Sequence, residues 1–382
     1  MFEFLKPVSE DLLEFVNELP EHAIGKQLDF YTLDNEPELK EGGLVLFSVI
    51  ENRNDPNGAL NKLNFDQIRK QFYRLAKGNW EVLVYDFGQI LTGETVSDTY
   101  FAVKELTKQL HSKKCIPIML GGSQDLMYAQ YRAYDPEQGM VNLVNIDACF
   151  DLGNVDLPIT NQSYVGKIVV DQPYNLFNYT NLGYQSYYVA PEELDLLNRM
   201  FFDGYRLGEV AGNLRMAEPI MRDANIVGID CNSVSSAYYG VNPNGFTGRE
   251  ICALSRYAGI SNKVSSFGIY EYNSDICYPS GDQLIAQLVW YFIEGVSVRW
   301  NESGVVETMD VIHYQVPVNE EVVSFYKSRI TERWWMEITY SSRLNNNLIS
   351  NALLPCTYED YIEACDQILP ERWYNAKMKF EM

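Results

Sequence analysis

The stretch "VNLVNIDACFD", residues 141–151, decides the fold. Four of its first six residues are apolar, and they run directly into two aspartates, Asp147 and Asp151, with Cys149 between them. A largely apolar run of this length suits a strand covered on both faces, as in a parallel sheet between two layers of helices. Carboxylates clustered at such a strand's end are a common way to hold a divalent cation. They also cap turns by accepting backbone N–H groups, and both readings stand for Asp147 and Asp151.

The same pattern repeats along the chain. Residues 44–50, 81–88, 115–120, 184–190, 224–230 and 263–271 read as further strands, with amphipathic helical stretches such as "FDQIRKQFYRLAKG", "TYFAVKELTKQLHSKK" and "PEELDLLNRMFFDG" (191–204) between them. Alternating strands and helices predict a three-layer α/β/α sandwich over residues 25–300 with a mainly parallel sheet. Residues 1–24 read as an amphipathic helix and not a secretion signal. Residues 301–382, dense in Trp, Tyr and charge, predict an extension packed on the core with a short hairpin and a helix. There "RWW" (333–335) serves as an anchor or as a protein-binding surface.

Composition narrows the function. Thirty basic against 52 acidic residues give a net charge of −22, which argues against nucleic acid and anionic membrane as partners. It leaves a small cationic ligand or a protein partner open. No apolar run approaches the roughly 18 residues of a spanning helix. Seven cysteines without a CxxC pair read as free thiols in a cytoplasmic protein.

In open α/β sheets the functional crevice lies beyond the carboxyl ends of the strands. Three strands here end in polar clusters: "GGSQD" (121–125), "DACFD" (147–151) and "DCNSVS" (230–235). "NGFTGRE" with Glu250 and "IYEYNSD" with Glu271 and Asp275 follow. Gly121 and Gly122 fit a tight strand-to-helix turn; no phosphate-loop pattern follows them.

In order and spacing these segments, with "NDPNGA" near residue 58 and "DFGQI" after the second strand, resemble the ureohydrolase superfamily of arginase, agmatinase and formimidoylglutamase. The resemblance implies an arginase-like fold. In that family GGDH, DAHxD and DxDxxD segments supply six ligands to two manganese ions, whose bridging hydroxide attacks an amidine or guanidine carbon. Carried over by position, Gln124 stands in place of the first histidine, and Cys149 in place of the second. Asp147, Asp151 and Asp230 match aspartates; Asn232 and Ser235 replace the remaining two. Glu250 matches a glutamate that approaches the substrate's guanidinium, and it also suits a helix start through the dipole. Glu271 is a second candidate for cation binding. Family members are often trimers or hexamers, so a homo-oligomer is a further expectation.

A pair of divalent ions needs about four negative charges and imidazoles to fix its geometry. Three aspartates remain, and none of the three histidines, His22, His111 and His313, lies near a motif. No histidine follows the second motif as proton shuttle; Tyr164 is the nearest polar residue. The crevice is therefore expected to have lost its dimanganese site and to bind or scaffold, without a cofactor. The alternative is an active C–N hydrolase of linear amidines with a single zinc or manganese on Cys149, Asp147, Asp151 and Asp230. A third reading makes Cys149 a nucleophile, with Asp151 and Cys149 the candidate catalytic groups, against the plain reading of a buried inert thiol. Without cations the carboxylates would either take up a proton or draw in a base such as Arg249 or Lys167.

Overall fold

The computed structural model describes residues 2–58, 63–135, 139–240, 242–275, 279–300, 302, 310–342 and 348–381; the last residue of "NDPNGA", Ala59, lies outside them. The larger sheet holds β1 (Leu5–Lys6), β2 (Asp29–Phe30), β3 (Leu44–Val49), β4 (Val84–Ile90), β5 (Ile116–Gly121), β6 (Val141–Ile146), β7 (Leu176–Tyr184), β8 (Asp203–Arg206), β9 (Ile226–Asp230) and β10 (Ser266–Tyr270). Their order is β1-β4-β3-β5-β10-β9-β6-β7-β8, with β2 also on β4. All pairs are parallel except β1 with β4.

Helices flank this sheet: α1 (Glu10–Asn17), α2 (Phe65–Arg74), α3 (Val96–Ser112), α4 (Leu126–Tyr131), α5 (Tyr164–Val170), α6 (Pro191–Arg199), α7 (Leu207–Gly212), α8 (Ala217–Arg222), α9 (Gly248–Ile260) and α10 (Pro279–Ser297). Alternate residues of one strand serve different cores, which is why the strands are apolar throughout. In β3, Leu44 and Leu46 join the core beneath α1, α2, α9 and α10, while Val45, Phe47 and Val49 join the core beneath α3, α4 and α5. This is the three-layer α/β/α sandwich with a mainly parallel sheet that the sequence predicts.

One charged network lies inside the first core. Arg69 of α2 donates to Asp86 of β4 through Nε (2.9 Å) and Nη2 (3.3 Å), to Ser48 Oγ (3.1 Å) and to the Gly88 carbonyl (2.5 Å). Tyr73 Oη and the Gly88 N–H also donate to Asp86. Every partner is buried, so the pair survives desolvation only because its hydrogen bonds are met. Gly88 has φ +72, and a Cβ there would lie 2.2 Å from the Lys6 carbonyl of β1.

Two readings of local structure are corrected. The strand expected at 184–190 is β7, which ends at Tyr184 where Gly183 adopts φ +109. Its polar "NYTN" disguises it: β7 lies between β6 and the short edge strand β8, yet carries Asn178, Thr180 and Asn181. The helix expected over 191–204 ends at Arg199; Phe201 at φ +54 turns the chain into β8.

Beyond residue 310 the hairpin is in fact a four-stranded antiparallel sheet, β11 (Val311–Val318), β12 (Glu321–Ser328), β13 (Trp334–Ser342) and β14 (Leu348–Cys356), followed by α11 (Tyr358–Cys365) and α12 (Glu371–Glu381). It has its own core around Phe325, Trp334, Met336 and Trp373. The buried Arg222 of α8 ties it to the larger sheet, donating to the Trp334 carbonyl (3.1 Å) with its guanidinium 4.6 Å from the Trp335 ring centre. Among the described residues no helix is long and apolar enough to cross a membrane.

Candidate functional site

Strand order places the site. The chain runs through β5, crosses to β6, β7 and β8, and returns to fill the gap with β9 and β10, so the carboxyl ends of β5, β10, β9 and β6 sit side by side at the switch point. Register then aligns the motifs. Ile146 pairs with Ile229 and Tyr270 with Asp230, which sets Asp147 level with Asp230 on the adjacent strand. The Glu271 N–H donates to the Gly122 carbonyl (2.6 Å) one strand further on. The result is a crevice of about 550 Å³ lined by Gln124, Asp147, Cys149, Asp151, Asp230, Asn232 and Glu271, together with Asp55 and Asn161.

At its floor Asp147 is enclosed by donors. Gln124 Nε2 donates to Asp147 Oδ2 (2.8 Å), Asn145 Nδ2 to the same oxygen (3.0 Å), and the Cys149 N–H to Oδ1 (2.9 Å). Both amides also donate to Tyr164 Oη, at 3.2 and 2.9 Å. Two neutral amides thus share one oxygen of the carboxylate, Oδ2. Sequence reasoning missed Asn145. Its signal was a polar residue inside an apolar strand, two positions before Asp147 and so on the same face.

The other acids lie around this network. Asp230 Oδ1 accepts the Asn232 N–H (2.7 Å), and the Asn232 carbonyl accepts from Asn242 (3.0 Å). Asp151 has φ +53, is 6% exposed, and its Oδ2 is buried without a hydrogen-bond partner. Glu271, at φ +58, accepts through Oε1 from the Gln124 N–H (2.8 Å) and Asn161 Nδ2 (3.1 Å).

Burial first, and then the charge of Asp147, hold Asp151 and Asp230 well above the usual carboxylate range. Burial raises Asp147 too, against the N–H donors that lower it. Glu271 is pushed up to about 8, by burial and then by Asp55. Neither basic residue reaches in: Lys167 Nζ donates to the Val155 carbonyl, and Arg249 is exposed on α9. With neither cation in reach, burial and like charge raise the carboxyls.

Cys149 is half-buried. Burial, and then Asp147, Asp151 and Asp230, push its thiol far above the ordinary range, the opposite of what a nucleophile requires. Glu250 does not join the cluster. Its carboxylate accepts the Thr247 N–H (2.8 Å) while Thr247 Oγ1 accepts the Glu250 N–H, a reciprocal cap on α9. It lines a separate cleft with Tyr187 and Arg206. Ser235 bonds through its backbone to Phe246 and is not among the residues lining the crevice.

The residues fit a manganese pair poorly. A ligand at position 124 would have to present a lone pair, whereas the Gln124 amide nitrogen presents N–H to Asp147. Among the described residues no three His, Cys, Asp or Glu side chains form a group arranged to hold a metal ion.

The fold and the strand-end crevice define an arginase-like α/β protein. The Arginase family model matches residues 62–294, well over half of the chain, and the chain belongs to that family. Its structure is similar to formiminoglutamase of Trypanosoma cruzi with manganese (TM-score 0.61, 15% identity, 68% of this chain and 95% of that one). It is also similar to formimidoylglutamase of Bacillus subtilis (0.60, 13%, 69% and 90%) and to agmatine ureohydrolase of Thermoplasma volcanium (0.58, 19%, 74% and 97%). No curated protein matches the chain in sequence.

Proposed function

We propose that this arginase-family protein has exchanged the dimanganese centre for an amide–carboxylate network and acts by binding a small cation or scaffolding a partner, without hydrolysing C–N bonds. One observation carries the reading: Gln124 Nε2, at the position of a family histidine, donates to Asp147 (2.8 Å). A metal on Asp147 Oδ2 would have to displace two amides, and any metal in the crevice would bind without imidazole. Five carboxylates line the crevice, Asp55, Asp147, Asp151, Asp230 and Glu271, and no Lys or Arg does so among the described residues. That lining favours positive ligands.

Metal analysis after dialysis against manganese tests this, alongside assays of formimidoylglutamate and guanidine hydrolysis. The expected result is well under one manganese per chain and no turnover. Two manganese ions per chain with turnover would overturn it. One zinc or manganese per chain, lost in Cys149→Ser, would establish the remodelled single-metal hydrolase if turnover accompanies it.

A further inference from the structure

The crevice is one of two joined lobes. A second space of about 610 Å³ shares Cys149, Asp151, Gln162 and Tyr188 with the first, and Leu157, Pro158 and Glu193 line its remainder. Asp151 stands at the junction. Its unpartnered Oδ2 is one of two buried orphan atoms among the lining residues, the other being Asn161 Oδ1. Both are oxygens, and a ligand bringing hydrogen-bond donors and positive charge would satisfy them. Glu193 supplies a second carboxylate in the second lobe, where its Oε2 accepts the Ala190 N–H (3.1 Å) at the start of α6. Leu157 and Pro158 give that lobe an apolar wall. No Lys or Arg lines either lobe among the described residues, which leaves the carboxylate of an amino acid without a counter-charge.

We infer that the joined lobes bind a linear aliphatic oligoamine, an α,ω-diamine or longer, with one ammonium at Asp151 and a second at Glu193. This rests on the cation-binding reading above and adds the ligand's shape and its second charge. The alkyl chain between the ammonium groups packs on Leu157 and Pro158, where a zwitterion would place an unpaired anion beside carboxylates.

Isothermal titration calorimetry on the full chain, chelator-treated and near neutral pH, tests it with diaminobutane, spermidine, n-butylamine and L-arginine. Diaminobutane and spermidine should bind about tenfold or more tighter than n-butylamine, and arginine more weakly than either. Glu193→Gln, which keeps an acceptor for the Ala190 cap, should shrink the diamine-to-monoamine ratio towards one. Asp151→Asn should weaken every amine; if circular dichroism shows it misfolded, Glu193→Gln decides alone. Equal affinities for mono- and diamines, or arginine binding tightest, would overturn the two-ended ligand and leave cation binding intact. No heat with any amine would overturn both.

Discussion

The amide nitrogen of Gln124 lies 2.8 Å from Asp147 Oδ2, so the carboxylate at the centre of the crevice is held by a neutral donor from β5's end. Asn145 adds a second donor from within β6. Asp147 is thus satisfied by neighbouring side chains, whereas Asp151 Oδ2 beside it is not.

Gln124→Leu should therefore destabilise the fold. It leaves a buried carboxylate short of a donor and removes an N–H to Tyr164, a loss of about 1–3 kcal/mol. A lower urea midpoint at unchanged slope is the expected result.

Restoring the family ligands acts in the opposite chemical direction. Gln124→His and Cys149→His with Asn232→Asp should together confer manganese binding, read as metal per chain and as a metal-dependent rise in Tm. Each single change should do little, because a binuclear site gains only when its ligands are assembled together.

Cys149 should resist alkylation. Burial, and then the surrounding carboxyls, push its thiol pKa up, whereas Cys365 is exposed. Peptide mass spectrometry after brief iodoacetamide treatment near neutral pH should find Cys365 modified well before Cys149; the reverse order would revive the nucleophile.

The pair Arg69–Asp86 should be costly to break. Asp86→Ala leaves a guanidinium buried without its anion, which costs about 3–5 kcal/mol. Chemical denaturation of Asp86→Ala and Arg69→Met together should show less loss than the single Asp86→Ala variant, since the double change leaves no buried charge.

His111 sets an acid limit on stability. Its Nε2 bonds the Ser265 carbonyl (3.0 Å) and Ser266 Oγ (2.9 Å), its ring packs on Tyr134 with centres 4.7 Å apart, and Nδ1 is buried without a partner. Burial pushes its pKa down from 6.5 to about 4. Below 6.5 the unfolded chain takes up a proton that the folded one refuses, so stability holds above 6.5 and falls as the pH drops towards 4. The loss is at most about 3 kcal/mol, and His111→Gln should flatten that slope in denaturation curves taken across the same window.

Much of the fold could be read from the chain because inner parallel strands are buried on both faces and so mostly apolar; β3, β5 and β9 follow that rule, and β6 departs from it at Asn142 and Asn145. The strand ends followed, with Asp147, Cys149, Asp151, Asp230, Asn232 and Glu271 brought to one crevice. Elements without a plain apolar run were misread. Strand β7 carries polar residues beside the edge, and β11 to β14 are antiparallel, with signals spread over alternate positions. Glu250 had two readings from its position alone, and only the hydrogen bond to the Thr247 N–H distinguishes them. Asn145, Asn161 and Asp55 escaped notice because their roles depend on which strand lies beside them, a fact of topology.

The two shortest strands have a consequence out of proportion to their length. Leu5 and Lys6 pair with Ile90 and Gln89, and Asp29 and Phe30 pair with Tyr85 and Asp86, so β1 and β2 divide the outer rim of β4 between them. A bare rim would offer a row of open N–H and C=O groups to strands of other molecules. Trimming the first eight residues would expose half of it, and the damage would be seen as precipitation on storage.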